Sequence, residues 1–232
     1  MKQVISFSLY GSDRRYTENA LVNAAKLDDV YPGWLMRVYY DNTVPASVIH
    51  TLAQNPNVEL VNMAGSPIQN KMMWRFCVVE DTGVDMYVVR DIDSHISARE
   101  KHAVDEWIAS RKRYHVMRDH PSHCNYAMSG GMWGGKYDST LHTIFKEQFA
   151  RFNRQAYLLD MNLLNAHFWN HVKHDVLVHD SFQLTHHGAC QPFPRRRVGA
   201  EHVGSVIIDG KMRQGDVDIL LAHSHLEKHV TR

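Results

Sequence analysis

Disulfide chemistry has little to work with in this sequence. Its three cysteines, Cys77, Cys124 and Cys190, are odd in number, widely spaced and never in a CxxC arrangement. That excludes a disulfide framework and points to a reducing compartment, the cytoplasm. No apolar run approaches the roughly 20 residues that a membrane helix needs, and residues 1–7 read as a strand without the apolar core of a secretory signal. Excess positive charge is missing too: 26 Lys and Arg against 25 Asp and Glu leave a formal net charge of +1. No surplus remains to neutralise nucleic-acid phosphates. The one basic run, Arg195-Arg196-Arg197, follows Pro192 and Pro194 and reads as solvated loop. Repeats, low-complexity stretches and linkers are absent, so the 232 residues are expected to form one domain. Histidine is the residue in surplus, at 17, which makes the presence of any one His weak evidence for a ligand.

What is present alternates. Residues 4–10 are β-branched and aromatic and end at Gly11-Ser12-Asp13, as a first strand does. A helix follows from Thr17, with Ala20, Leu21, Ala24, Ala25 and Leu27 on one stripe. Strands over 35–40, 58–61, 86–89 and 114–117 are separated by helices from Pro45, over 72–79, and from the capping box Ser97-Ala98-Arg99-Glu100. This order predicts an α/β fold with a mostly parallel central sheet flanked by helices. Further on, 121–136 reads as a long loop containing Gly130-Gly131-Met132-Trp133-Gly134-Gly135. Helices near 141–152 and 160–172, a strand at 176–178 and an irregular, extended tail over 193–208 complete the chain.

In open α/β sheets, ligands collect outside the carboxyl ends of the strands. The fourth strand ends there in Arg90-Asp91-Ile92-Asp93-Ser94. Alternate residues leaving a strand point the same way, so Asp91 and Asp93 can converge on one hard divalent cation, Mn2+ or Mg2+. Such an ion can carry the charge of a diphosphate leaving group. Arg75 and Arg90 are candidates to pair with phosphate oxygens, with a buried ion pair as the alternative for Arg90.

With these residues in view, the chain resembles GT-A-fold glycosyltransferases, Rossmann-like domains with a DxD motif at the end of a central strand. Tyr114-His115-Val116-Met117-Arg118-Asp119-His120-Pro121, followed by Gly130-Gly131-Met132-Trp133-Gly134, is similar to small glycosyltransferase domains of large DNA viruses and bacteria. The likeness runs from the first strand to about His179. It implies a single GT-A domain over 1–232, nucleotide-binding to about 95 and acceptor-binding and metal-completing beyond. It implies metal-dependent transfer, with inversion, from a nucleotide-sugar (a UDP-sugar) to a glycan or other hydroxyl acceptor, in the host cytoplasm if the protein is viral.

Roles follow from that resemblance. Ser8, Leu9, Tyr10 and Asp41 take the places that hold the nucleotide. Asp160 takes that of the general base, with Asp119, also at a strand end, as second candidate. His179 would complete the metal site, with His223 as its rival; each ends an apolar run. Gly131, with Gly130, would let backbone approach the ligands, and Trp133 would offer a sugar ring an apolar face. Two other readings compete. Phosphatases of the haloacid-dehalogenase type carry their DxD on the first strand, not the fourth. A non-catalytic sugar-nucleotide or glycan-binding module is set apart by loss of the DxD or base, and here both Asp91 and Asp93 are intact.

Overall fold

The computed structural model describes residues 1–154, 156–184 and 187–230. Seven strands, β1 (Gln3–Leu9), β2 (Leu35–Tyr40), β3 (Val58–Asn62), β4 (Met86–Val89), β5 (Tyr114–Arg118), β6 (Trp133–Lys136) and β7 (Val176–Asp180), form one sheet. Their order is β3-β2-β1-β4-β6-β5-β7. Every neighbouring pair is parallel except those made by β6, which runs antiparallel between β4 and β5. Helices α1 (Arg14–Val30), α2 (Ala46–Leu52), α3 (Ala98–Ser110) and α4 (Ser139–Phe152) belong to the connections. The result is a single α/β domain with a mostly parallel central sheet, as the alternation of strands and helices predicts, and its topology is the Rossmann-like, GT-A-like one that the resemblance implies.

β1 explains how two layers share one sheet. Ile5, Phe7 and Leu9 enter the apolar cluster that also takes in Leu27 of α1 and Trp107 of α3. Val4 points to the opposite cluster, built around Phe76, Trp133, Phe145 and Phe168. Ser6 and Ser8 alternate with the large residues, and their small hydroxyls admit a segment of backbone. Ser6 Oγ donates to the Arg75 carbonyl at 2.6 Å, and the Arg75 N–H donates to Ser8 Oγ at 2.9 Å. The segment they fix, Lys71–Glu80, is wound in 3-10 turns rather than as the α-helix expected over 72–79.

Two other differences concern the second half. β6 lies within the expected long loop, because Gly134 and Gly135 carry no pattern of alternation and are disfavoured in strands. They belong there sterically: a Cβ at Gly134 would press on the Tyr87 carbonyl, and one at Gly135 on the Tyr87 ring. The helix expected over 160–172 consists of α5 (Leu159–Leu163), a π-helical turn at Leu164–Phe168, and α6 (Trp169–Val172). The tail is irregular over 193–206, as expected, and then forms a small hairpin of β8 (Ile207–Ile208) and β9 (Lys211–Met212) and helix α7 (Gln214–Ala222). No helix among the described residues is long and apolar enough to cross a membrane.

The sheet order fixes where a site can form. From β1 the chain builds outward through β2 and β3, then returns to place β4 on the other side of β1. The carboxyl ends of β1 and β4 therefore flank the point where the winding reverses, and a crevice opens there.

Candidate active site

A cleft of about 240 Å3 occupies that crevice. β1 and the turn after it supply Ser8 and Tyr10, the first turn of α1 supplies Arg15 and Tyr16, and the 3-10 segment supplies Met72 and Arg75. The residues leaving β4 supply Asp91, Ile92 and Asp93, and the tail reaches across with Val206. Asp91 and Asp93 thus face one space, as alternation at the strand end requires. Each has an arginine: Arg75 Nη1 donates to Asp91 Oδ1 at 2.6 Å, and Arg15 Nη2 donates to Asp93 Oδ2. Burial, then the negative charge of Asp91, raises the Asp93 carboxyl above its ordinary value, against the opposing pull of Arg15.

Asp160 joins this group through a shared cation. It lies in the first turn of α5, following Leu158 in a left-handed conformation (φ 59°), and accepts from Arg75 Nη2 at 3.0 Å. The Arg75 guanidinium therefore bridges Asp91 and Asp160. Two glycines make room for the bridge. A Cβ at Gly130 would collide with Arg75 and crowd Asp160, and one at Gly131 would collide with the Asp91 carboxylate and backbone.

The donor set suits a hard divalent cation. Two carboxylates repel one another across the cleft, and the Gly131 backbone leaves the face of Asp91 clear of side chain. Mg2+-like ions are commonly held by one or two carboxylates together with substrate phosphates and water. Among the described residues no group of three or more His, Cys, Asp or Glu side chains is arranged around a common metal position. Asp91 and Asp93 are, among the described residues, the carboxylates that line this cleft.

His179 lies elsewhere. Its ring is fully buried, with Nδ1 hydrogen-bonded to His115 Nε2 at 2.8 Å and Nε2 to Glu106 at 3.0 Å. Both nitrogens are engaged, and the ring does not line the cleft. His223 ends α7, with Nδ1 on the Ile219 carbonyl at 2.8 Å, and does not line it either. Asp119 is fully buried and saturated: Arg99 grips both its oxygens, and Arg197, Ser181 and the Val203 N–H add further bonds. Burial pushes its carboxyl up, but Arg99 first and then Arg197 and Ser181 outweigh that and hold it down at about 2. It pins the tail to the sheet and does not line the cleft.

Arg90 points back into the core, donating to Glu100 at 2.8 Å and to the carbonyls of Val89 and Trp133. It is a buried ion pair, though its partner is Glu100 and not one of the Asp residues of the motif. Trp133 is fully buried among Phe76, Tyr87 and Phe168 and has no face for a sugar. Leu9 is core and does not line the cleft. Tyr10 meets Trp74 edge-on, with Lys71 Nζ 5.6 Å from its centroid. Lys71 also donates to Asp41 Oδ2 at 2.6 Å. Burial opposes ionisation of Asp41, yet bonds from Lys71 and Thr43 lower its carboxyl. Arg15, Tyr16, Met72 and Val206 were not among the expected site residues. Arg15 and Tyr16 could have been found from their place, in the first helical turn after β1.

No protein-family model and no curated protein matches the sequence. Solved structures do match in fold. The mannosyltransferase PcManGT from Pyrobaculum calidifontis, in complex with GDP-Man and Mn2+, aligns over 84% of this chain and 58% of its own, at 13% identity and a TM-score of 0.52. S. aureus TarS 1-349 aligns over 77% of this chain and 58% of its own, at 11% identity and a TM-score of 0.51. Little more than half the length of these two proteins is spanned, and at such identity the likeness establishes the fold alone.

Proposed function

We propose that the chain is a metal-dependent glycosyltransferase that moves a sugar from a nucleotide-sugar, a UDP-sugar, to an acceptor hydroxyl with inversion. The observation that carries this reading is the pair Asp91 and Asp93 facing one cleft at the switch point of a GT-A-like sheet, with Arg75 and Arg15 beside them. Tyr10 and Asp41 are the groups for base and ribose, at the ends of β1 and β2. Arg75 and Arg15 are donors suited to phosphate oxygens. Asp91 and Asp93 would hold Mn2+ or Mg2+, which when bound offsets the charge that develops on the leaving diphosphate. Asp160 accepts a single hydrogen bond among the described residues, from Arg75 to Oδ2. It is the group to take the proton from the acceptor hydroxyl as that oxygen displaces the nucleoside diphosphate at the anomeric carbon. PcManGT, with a bound nucleotide-sugar and Mn2+, lends support by its fold and by nothing finer.

The test is release of nucleoside diphosphate from a panel of UDP- and GDP-sugars, with Mn2+ and with a chelator. The reading expects metal-dependent release from UDP-sugars that is lost in Asp91→Asn. Release unaffected by chelation, or none from any nucleotide-sugar, would overturn it.

A further inference from the structure

The two arginines of the cleft differ in freedom. The Arg75 side chain is 3% exposed and clamped at both Nη atoms, by Asp91 and by Asp160. Arg15 is anchored through its backbone, whose N–H donates to the capping Asp13 at 2.8 Å, while its side chain is 31% exposed. The guanidinium lies 5.0 Å from the centroid of Tyr16, and its ion-pair partner is Asp93. Its Nε, like that of Arg75, is buried without a hydrogen-bond partner among the described residues, so what sets Arg15 apart is its exposure and its one ion-pair partner. Arg213, which feels the charges of Arg15 and Asp93 but does not line the cleft, is taken up by Asp216 at 2.7 Å. Arg15 is therefore the cation of the cleft that can change partners, and it holds a donor in reserve.

We infer that Arg15 is a partner-exchanging counter-ion, which neutralises Asp93 in the free protein and turns to the phosphates of a metal–diphosphate complex when that complex takes Asp93. A divalent ion entering alone brings a second positive charge onto the carboxylate that Arg15 already neutralises, so it binds against the repulsion of that guanidinium and drives it off. The displaced guanidinium then faces a like charge with no partner, and binding is weak. A diphosphate arriving with the ion reverses the balance, because Nε and an Nη of one guanidinium can grip two phosphate oxygens together. Metal and diphosphate thereby favour each other's binding. The proposal rests on the nucleotide-sugar reading only for the identity of what carries the diphosphate.

Calorimetric titration of the full chain tests it, with three probes: Mn2+ alone, Mn2+–pyrophosphate and Mn2+–UDP. Replacing Arg15 by Gln should move affinities in opposite directions, tightening Mn2+ alone and weakening Mn2+–pyrophosphate, each by roughly tenfold, within the usual range for coupled sites. A residue needed only for the shape of the cleft would weaken both. Arg15→Lys, which keeps the charge but loses the two-pronged grip, should leave Mn2+ alone near wild type and weaken the pyrophosphate complex by a few fold. Mn2+ affinity that is unchanged or lower in Arg15→Gln, or a pyrophosphate complex unaffected by both substitutions, overturns the inference. If the wild type binds Mn2+–pyrophosphate but gains nothing from Mn2+–UDP, the nucleotide reading fails and the exchange is still decided by the pyrophosphate arm.

Discussion

Arg75 reaches Asp160 at 3.0 Å while its other Nη holds Asp91 at 2.6 Å, so one buried guanidinium ties the start of α5 to the end of β4. The two segments come from opposite halves of the chain, and each carries one function in the proposed chemistry.

Removing that cation should unsettle both. Arg75→Met leaves two carboxylates facing each other without a counter-charge, and stability should fall by about 3 kcal/mol in denaturant unfolding, as expected when one partner of a buried pair is deleted. Arg75→Lys should recover part of the loss. Equal stability in wild type and Arg75→Met would mean the bridge contributes nothing.

Gly131→Ala should damage the site more than the fold. The added Cβ lands on the Asp91 carboxylate and backbone. Overpacking of this kind costs roughly 1–3 kcal/mol. Calorimetry should show weakened binding of Mn2+–UDP while circular dichroism stays native; unimpaired binding would mean that Asp91 can move aside freely.

Asp160→Asn should spare donor binding and depress transfer by roughly 10²- to 10⁴-fold, since a base is lost and the donor-binding side chains remain. Asp119→Asn serves as contrast. If it, and not Asp160→Asn, lowered turnover with full donor affinity, the base would have been misassigned.

Asp119 also shapes the response to acid. Its carboxyl is held at about 2 in the folded protein against an ordinary 3.8. Its ionised form therefore stabilises the fold above about pH 4, and this contribution, on the order of 2 kcal/mol, is lost as pH falls from there towards 2. His123, whose imidazole burial lowers to about 3 from 6.5, acts at a higher pH: its share is lost as pH falls from about 6.5 to 3. Unfolding free energies measured across these windows should fall with acid in the wild type, and His123→Phe should make the upper fall shallower, leaving the share of the other buried histidines, His115, His120, His179 and His202. A wild-type curve level from pH 6.5 to 2 would contradict both assignments.

The strands were legible because their patterns are local. Val88 and Val89 run straight into Asp91 and Asp93, so both the strand and what it presents can be read in a few letters. β6 was hidden because its glycines owe their place to Tyr87 on the neighbouring strand, a constraint no local pattern carries. The same holds for the site. Asp91, Asp93, Tyr10 and Arg75 lie on segments whose ends the alternation locates. His179 and Asp119 also end strands, but β7 and the end of β5 lie on the far side of β6 from the switch point. There His179 pairs with His115 and Glu106, and Asp119 with Arg99 and Arg197. Arg15 is located by its place after β1, but its pairing with Asp93 is not, because the two lie far apart along the chain.

The most direct measurement is calorimetric titration of UDP and of GDP into the protein, each with and without Mn2+. The account predicts UDP binding that depends on Mn2+ and vanishes in Asp93→Asn. Absence of binding by either nucleotide with Mn2+ present, or binding indifferent to the metal and to Asp93, would contradict it.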